Sequence, residues 1–179
     1  MHAADKIKKM ETLLPLLESA KAKGKKIVTT NGVYDFLHAG HLEYLEQARD
    51  LGDMLVVLLN TDASVKRLKG LHRPINAEQD RALVLAGLHC VDYVTFFDKD
   101  TPNAVLAKIK PSIHAKGGDY DPEKMPETKI VRDKGGEVKI LALKPGYSNS
   151  KQYERILKAA QHEAPSHRPE WLQNAQIKK

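Results

Sequence analysis

The chain has 179 residues, 41% of them hydrophobic and 29% charged, the balance of a folded globular domain and not of a disordered chain. No run approaches the ~18 consecutive apolar residues of a membrane span, and the first residues lack the apolar stretch of a secretory signal. With a single cysteine, Cys90, an intrachain disulfide and an all-cysteine zinc site are excluded, and a cytoplasmic protein is expected. Lys and Arg number 29 against 23 Asp and Glu, a net charge of +6, yet outside clusters at 21–26 and 66–69 the bases interleave with acids. Charge alone therefore selects no polyanionic partner.

Residues 4–23 carry Ile7, Met10, Leu13, Leu14 and Leu17 near helical spacing, with Pro15 an irregularity, and predict an amphipathic helix. Ile27–Thr30 is a β-branched run stopped by Asn31-Gly32, a strand followed by a loop. A helix over 40–51 ends at Gly52, and the continuous apolar run Met54–Leu59 is typical of a buried parallel strand. Next come a helix over 77–88 with Asn76 as N-cap, a strand over Val91–Phe97, and a short helix over Thr101–Ile109 with Pro102 in its first turn. Brief strands at Ser112–Ala115 and Glu137–Leu141 flank a weaker helical stretch at 126–134. Ser148–Ala160 forms the last helix, ahead of a tail with Pro165, Pro169 and Trp171.

Five strands alternating with helices predict an α/β, Rossmann-like, doubly wound parallel sheet. It is expected as one domain over 25–161, preceded by a helix in 1–24 and followed by a tail in 162–179. In such sheets ligands bind beyond the carboxyl ends of the strands. Those ends are followed by Asn31-Gly32-Val33-Tyr34-Asp35, Asn60-Thr61-Asp62, Lys116-Gly117-Gly118-Asp119 and Lys144-Pro145-Gly146-Tyr147-Ser148, which the topology should bring to one crevice.

His38-Ala39-Gly40-His41 lies where the first strand passes into the first long helix. Free N–H groups and the helix dipole favour an anion there. Gly40 would let a phosphate approach the backbone, and the imidazoles would donate to charge that develops during transfer. The same residues also suit capping or surface histidines, or a metal site for which only Asp35 is near; spacing does not choose among these. A Walker loop and a Gly-x-Gly-x-x-Gly fingerprint are both absent, which disfavours a P-loop kinase and a dinucleotide dehydrogenase.

The run Thr30-Asn31-Gly32-Val33-Tyr34-Asp35-Phe36-Leu37-His38-Ala39-Gly40-His41, with Leu51-Gly52-Asp53 and Asn60-Thr61-Asp62, resembles the cytidylyltransferase-like nucleotidyltransferases. Asp62–Gly70, Arg73-Pro74, Asp100-Thr101-Pro102, Lys116–Tyr120 and Gly135–Val138 narrow the resemblance to the bacterial heptose 1-phosphate adenylyltransferases, over about residues 26–160. It implies attack of a sugar phosphate oxygen on the α-phosphorus of ATP, expelling pyrophosphate, with positioning and charge stabilisation as the protein's task. By the same resemblance, His38, Gly40 and His41 meet the nucleotide phosphates, and Asn31, Gly32 and Tyr34 line the phosphate and sugar-phosphate pocket. Thr30 and Asn60 belong to the nucleotide side, and Lys66 and Lys69 neutralise the triphosphate from a mobile loop. Arg73 adds a cation, while Lys116, Gly117, Gly118 and Asp119 lie by base and ribose. Mg²⁺ arrives with ATP, Asp35 or Asp119 being candidate contacts on an acceptor and metal side that has no dedicated protein ligand set. A homodimer is expected, with no nucleic-acid partner.

The chain departs from the family pattern in two places. Gly146-Tyr147-Ser148-Asn149-Ser150 replaces a row of hydroxyls at the last helix, and Ser148 and Ser150 keep the phosphate-binding chemistry. Val33 and Tyr34 stand where relatives carry Cys or Thr and Phe. A cytidylyltransferase acting on glycerol 3-phosphate or a similar alcohol phosphate uses the same crevice and is the second reading. A non-catalytic nucleotide- or nucleic-acid-binding module, suggested by the basic total and the Lys66–Lys69 cluster, is the third.

Overall fold

The computed structural model describes residues 2–143 and 146–162. Five strands, β1 (Ile27–Gly32), β2 (Met54–Asn60), β3 (Tyr93–Phe97), β4 (Ile113–Gly117) and β5 (Glu137–Leu141), form one all-parallel sheet in the order β3-β2-β1-β4-β5. The helices are α1 (Met10–Ala22), α2 (Ala39–Asp50), α3 (Asp62–Lys69), α4 (Glu78–Gly87), α5 (Asn103–Ile109), α6 (Pro126–Arg132) and α7 (Asn149–His162). The chain divides into two compact units, Met1–Pro145 and Gly146–Lys179; the sheet and α1–α6 belong to the first and α7 to the second. Lys144, Pro145 and the tail residues Pro165, Pro169 and Trp171 lie outside the described residues.

The sheet is apolar on both faces because each is covered. Val28, Leu55, Val57, Leu59, Ile113 and Ala115 pack with Tyr44, Leu45 and Ala48 of α2 and with Ala82, Leu85 and Ala86 of α4. Ile27, Val56, Leu58 and Phe97 point the other way, against Leu13 and Leu17 of α1, Leu106 and Ile109 of α5, and Val131 of α6. Period-2 alternation of these strand residues onto two helical layers is what makes β2 read as an unbroken apolar run. Each Val, Leu, Ile or Phe side chain so buried contributes about 1.5–3 kcal/mol relative to exposure.

Several elements differ from the sequence reading. The helix expected over 4–23 is two pieces, a 3₁₀ turn at Ala3–Lys6 and α1, because the Lys8 N–H donates to the Val94 carbonyl (2.9 Å) and Ile7 bridges to the β3 edge. Its apolar face is consumed by the core: Leu13 and Leu17 are buried, and Leu16 is left exposed. Residues 62–69, expected as a mobile loop, are helix α3. Thr61 caps it, its Oγ1 accepting the Ser64 N–H at 3.2 Å. Ala77, not Asn76, is the N-cap of α4, since the Asn76 amide donates to the Asp35 carbonyl at 2.6 Å. β3 starts at Tyr93 instead of Val91, while β1 and β4 run on to Gly32 and Gly117.

From β1 the chain winds outward through β2 to β3, then returns to place β4 on the other side of β1. The sheet order reverses between β1 and β4, and the crevice outside their carboxyl ends is where such a fold receives a ligand. Asn31-Gly32 and Lys116-Gly117 end those two strands.

Candidate active site

His38 is the N-cap of α2, and its Nδ1 accepts the His41 backbone N–H at 3.3 Å. Because a backbone N–H only donates, Nδ1 of His38 is the lone-pair nitrogen and the ring proton sits on Nε2. The two imidazoles stack, centroids 3.8 Å apart and 14° from parallel, and the Tyr34 ring meets His41 edge-on at 5.2 Å. Burial, and then the neighbouring His38, push the His41 pKa down to about 4; burial lowers that of His38 as well. At neutral pH the site therefore presents two uncharged rings beside the free N–H groups and positive dipole end of α2, with Gly40 buried between them.

Tyr34 adopts φ +48°, the left-handed region, which costs a non-glycine residue about 1–2 kcal/mol. Its ring folds back over Gly32, where a Cβ would lie 2.8 Å from Tyr34 Cε2, so only glycine fits beneath it. At Gly117 a Cβ would stand 2.5 Å from the tip of the exposed Leu143 side chain, which can swing aside, and 3.0 Å from the buried Tyr44 ring, which is what limits the position. Together Asn31, Gly32, Tyr34, His41, Lys116 and Gly117 surround a cavity of about 200 Å³, to which Tyr120 and Leu143 also contribute.

Lys116 extends from β4 and gives its ammonium to Asn31 Oδ1 (2.9 Å) and Glu127 Oε1 (3.2 Å). Behind the cavity, the Tyr44 hydroxyl donates to the Ala115 carbonyl at 3.0 Å, so the Thr30 hydroxyl, 2.6 Å from the Tyr44 oxygen, is the donor in that pair. Thr30 thus ties α2 to β1 and β4, and its hydroxyl proton is already committed.

The remaining residues singled out in the sequence are spread around this centre. Asp35 is buried, and its carboxylate accepts from Arg73 Nε (3.1 Å), Ile75 N (3.0 Å) and Asn76 N (2.9 Å), organising the 73–76 loop. Asn60 donates to Ser64 Oγ (2.9 Å) at the start of α3. Lys66 and Lys69 are exposed on α3, and Asp119 is exposed after Gly118, which holds φ +122°. Lys66, Lys69, Asn60 and Asp119 do not line the cavity. Ser148 and Ser150 belong to the second unit at the start of α7, where Ser148 Oγ accepts the Lys151 N–H at 3.4 Å. Among the described residues no group of three or more His, Cys, Asp or Glu is arranged to hold a metal ion, and no helix is long and apolar enough to cross a membrane.

Two charged residues escaped the sequence reading. Arg81, with no side-chain exposure, donates to Asn76 O (3.0 Å), Val33 O (2.6 Å), Asn60 O (2.9 Å) and Asp62 Oδ1 (2.7 Å). One guanidinium therefore pins the segments that leave β1 and β2 and the segment that enters α4. The signal was its spacing: Arg81, Ala82, Leu85 and Ala86 share the buried side of α4. Glu127, the second residue of α6, looks in sequence like a solvated acid favoured by the helix dipole, and nothing there marks it as the partner of Lys116.

A model of the cytidylyltransferase-like family matches residues 29–156. The chain is 51% identical over 152 residues to the bifunctional protein HldE of Pelobacter propionicus, an alignment covering 85% of this chain and 31% of that protein. It is 53% identical over 140 residues to the bifunctional protein HldE of Histophilus somni, covering 78% and 30%. The chain thus spans about a third of the length of these curated relatives. Among solved structures, the lipopolysaccharide core biosynthesis protein from Thermoplasma volcanium superposes with a TM-score of 0.57 at 30% identity, over 68% of this chain and 98% of that one. A pantoate-beta-alanine ligase from Francisella tularensis, complexed with beta-gamma ATP and beta-alanine, shares the fold alone. It is 12% identical, with a TM-score of 0.51 over 94% of this chain and 83% of that one.

Proposed function

The chain belongs to the cytidylyltransferase-like family, and from that premise we propose that it transfers AMP from ATP to a heptose 1-phosphate, releasing pyrophosphate and forming an ADP-heptose for cell-envelope glycan synthesis. The observation that carries this reading is the stacked His38–His41 pair at the N-terminus of α2, with His41 opening onto the same cavity as Asn31 and Lys116. The sugar is named by the motif resemblance of residues 62–74, 100–102 and 116–120. Half-identity to the HldE proteins and likeness to a lipopolysaccharide core biosynthesis protein support it.

In this reading the acceptor's phosphate oxygen attacks the α-phosphorus, and the bond to the bridging oxygen of the leaving pyrophosphate breaks. No covalent intermediate on the protein is required. His41 and the His38 Nε2–H donate to the phosphate oxygens as negative charge gathers on them, and the N–H groups of α2 add to that field. Neutral rings suit the task, because they give a proton-bearing donor without trapping the product as a fixed cation would. Asn31, Gly32 and Tyr34 hold the acceptor phosphate; Thr30 and Asn60 frame the nucleotide side. Lys116, Gly117, Gly118 and Asp119 serve base and ribose. Lys66, Lys69 and Arg73 supply countercharge. Mg²⁺ enters bound to the triphosphate, which carries much of its coordination, as part of the substrate.

We further propose a cytoplasmic homodimer that needs no nucleic acid. Exposed Leu71, Ile75, Leu83 and Val84 on and before α4 offer apolar surface for a second copy. The experiment is pyrophosphate release with Mg²⁺, crossing ATP and CTP with heptose 1-phosphate and glycerol 3-phosphate. Release only with ATP and the heptose supports the proposal; release only with CTP replaces it by the cytidylyltransferase reading.

A further inference from the structure

The Lys116–Glu127 pair is an unusual expense at the edge of a ligand cavity. Its side chains are 18% and 8% exposed, so both charges have lost most of their water. An ion pair this buried gains little stability over an apolar pair of the same volume. Its geometry suggests another use. Lysine carries three donors and no acceptor, so the Asn31 atom 2.9 Å from Nζ must be the amide oxygen. The Asn31 NH₂ group is thereby turned elsewhere, and it makes no other side-chain hydrogen bond found among the described residues, while Asn31 itself lines the cavity. Glu127 in turn holds Lys116 from the first turn of α6, where the helix dipole favours its charge. Val131 and Thr128, both buried, fix that helix against the sheet.

We infer that Glu127 is a positioning residue for the transfer: through Lys116 it locks the Asn31 amide with its NH₂ group facing the cavity, as a donor to a substrate phosphate oxygen. Without Glu127, Asn31 is the one hydrogen-bond partner left to the Lys116 ammonium among the described residues. The ammonium is then drawn toward solvent or incoming phosphate, and the amide is free to turn its oxygen, a repelling group, toward the anion. The choice of a phosphate oxygen rests on the adenylyl-transfer reading; the lock on Asn31 does not.

The test uses the full chain and the variants Glu127→Gln, Asn31→Ala, their combination, and the paired replacement Glu127→Met/Lys116→Met. The paired variant removes both charges and so avoids a lone buried ion should Glu127→Gln fail to fold. In ¹⁵N-labelled protein without ligand, the Asn31 side-chain amide signals are identified by their loss in Asn31→Ala. They should shift in Glu127→Gln and in the paired variant, while the β2 backbone signals stay in place. Unmoved Asn31 signals overturn the proposal whether or not the protein makes an ADP-sugar. In turnover, Glu127→Gln should lower kcat on the order of tenfold, and the same change in the Asn31→Ala background should cost less than about twofold, as for residues of one network. An equal loss in both backgrounds overturns it too, since a merely structural glutamate would act independently of Asn31. A wild type silent with every acceptor removes the adenylyl-transfer reading and leaves the amide signals to judge the lock.

Discussion

The imidazoles of His38 and His41 lie face to face, 3.8 Å between centroids and 14° from parallel, across the first turn of α2. Such contact tolerates one neutral partner far better than two charged ones, and burial reinforces this by depressing both pKa values. The pair is a neutral donor set aimed by a helix N-terminus.

Acid should therefore destabilise the fold well above the carboxylate range. His41 titrates near 4 in the folded chain, and His114, buried at the Thr29 hydroxyl (2.9 Å), near 3, both chiefly through burial. Unfolded histidines titrate near 6.5, so below that pH the unfolded chain binds protons that the folded chain refuses. Stability is fully present above about pH 6.5 and falls as the pH drops toward 4, by at most about 1.4 kcal/mol per pH unit for each such proton. Urea unfolding from pH 7.5 to 4.5 should show this slope, shallower in His114→Leu. Parallel curves for the two proteins would contradict the assignment.

Arg81 should be the costliest single charge to lose. Arg81→Met removes the donor shared by Val33, Asn60, Asn76 and Asp62 and is expected to lower stability by about 3–5 kcal/mol, read as a fall in denaturation midpoint. Arg81→Lys should recover little, because an ammonium cannot span four acceptors set out for a planar fork. An unfolding free energy within about 0.5 kcal/mol of wild type, the usual spread of surface substitutions, would show that the loops hold themselves.

Lys66 and Lys69 stand four and seven residues after Asp62, on one face of α3, whose start is fixed by Arg81. If they neutralise the triphosphate, Lys66→Ala and Lys69→Ala each raise the ATP KM roughly tenfold or more, with melting temperature unchanged because both are exposed. An unchanged KM in both would remove α3 from the nucleotide site.

Much of the first unit was legible in the chain itself. The apolar run Met54–Leu59, bounded by Gly52 and Asn60-Thr61-Asp62, and the β-branched Ile27–Thr30 declare parallel strands, and residues at strand ends define the crevice by topology alone. What stayed hidden depends on partners far along the chain. The short polar helix α3 has few apolar positions, so its helicity rests on the Thr61 cap and on Ser64 and Val65 being buried. Asp35 looked like a ligand because it lies between two segments that the family resemblance assigns to the substrates, whereas its donors sit some 40 residues later at Ile75 and Asn76. Arg81 and Glu127 read as surface charge because burying a charge is costly, and only the fold shows the acceptors and donors that offset that cost.

On the reading proposed above, the His38–His41 pair stabilises transfer of AMP to a sugar phosphate. The most direct measurement is pyrophosphate release from MgATP and heptose 1-phosphate by wild type and by His41→Ala, with nucleotide binding followed alongside. The wild type should give ADP-heptose and pyrophosphate in equal amounts. His41→Ala should turn over with a kcat lower by roughly 10²–10³, about 2.7–4 kcal/mol of transition-state stabilisation, with ATP still bound. Turnover by His41→Ala within threefold of wild type would contradict that role.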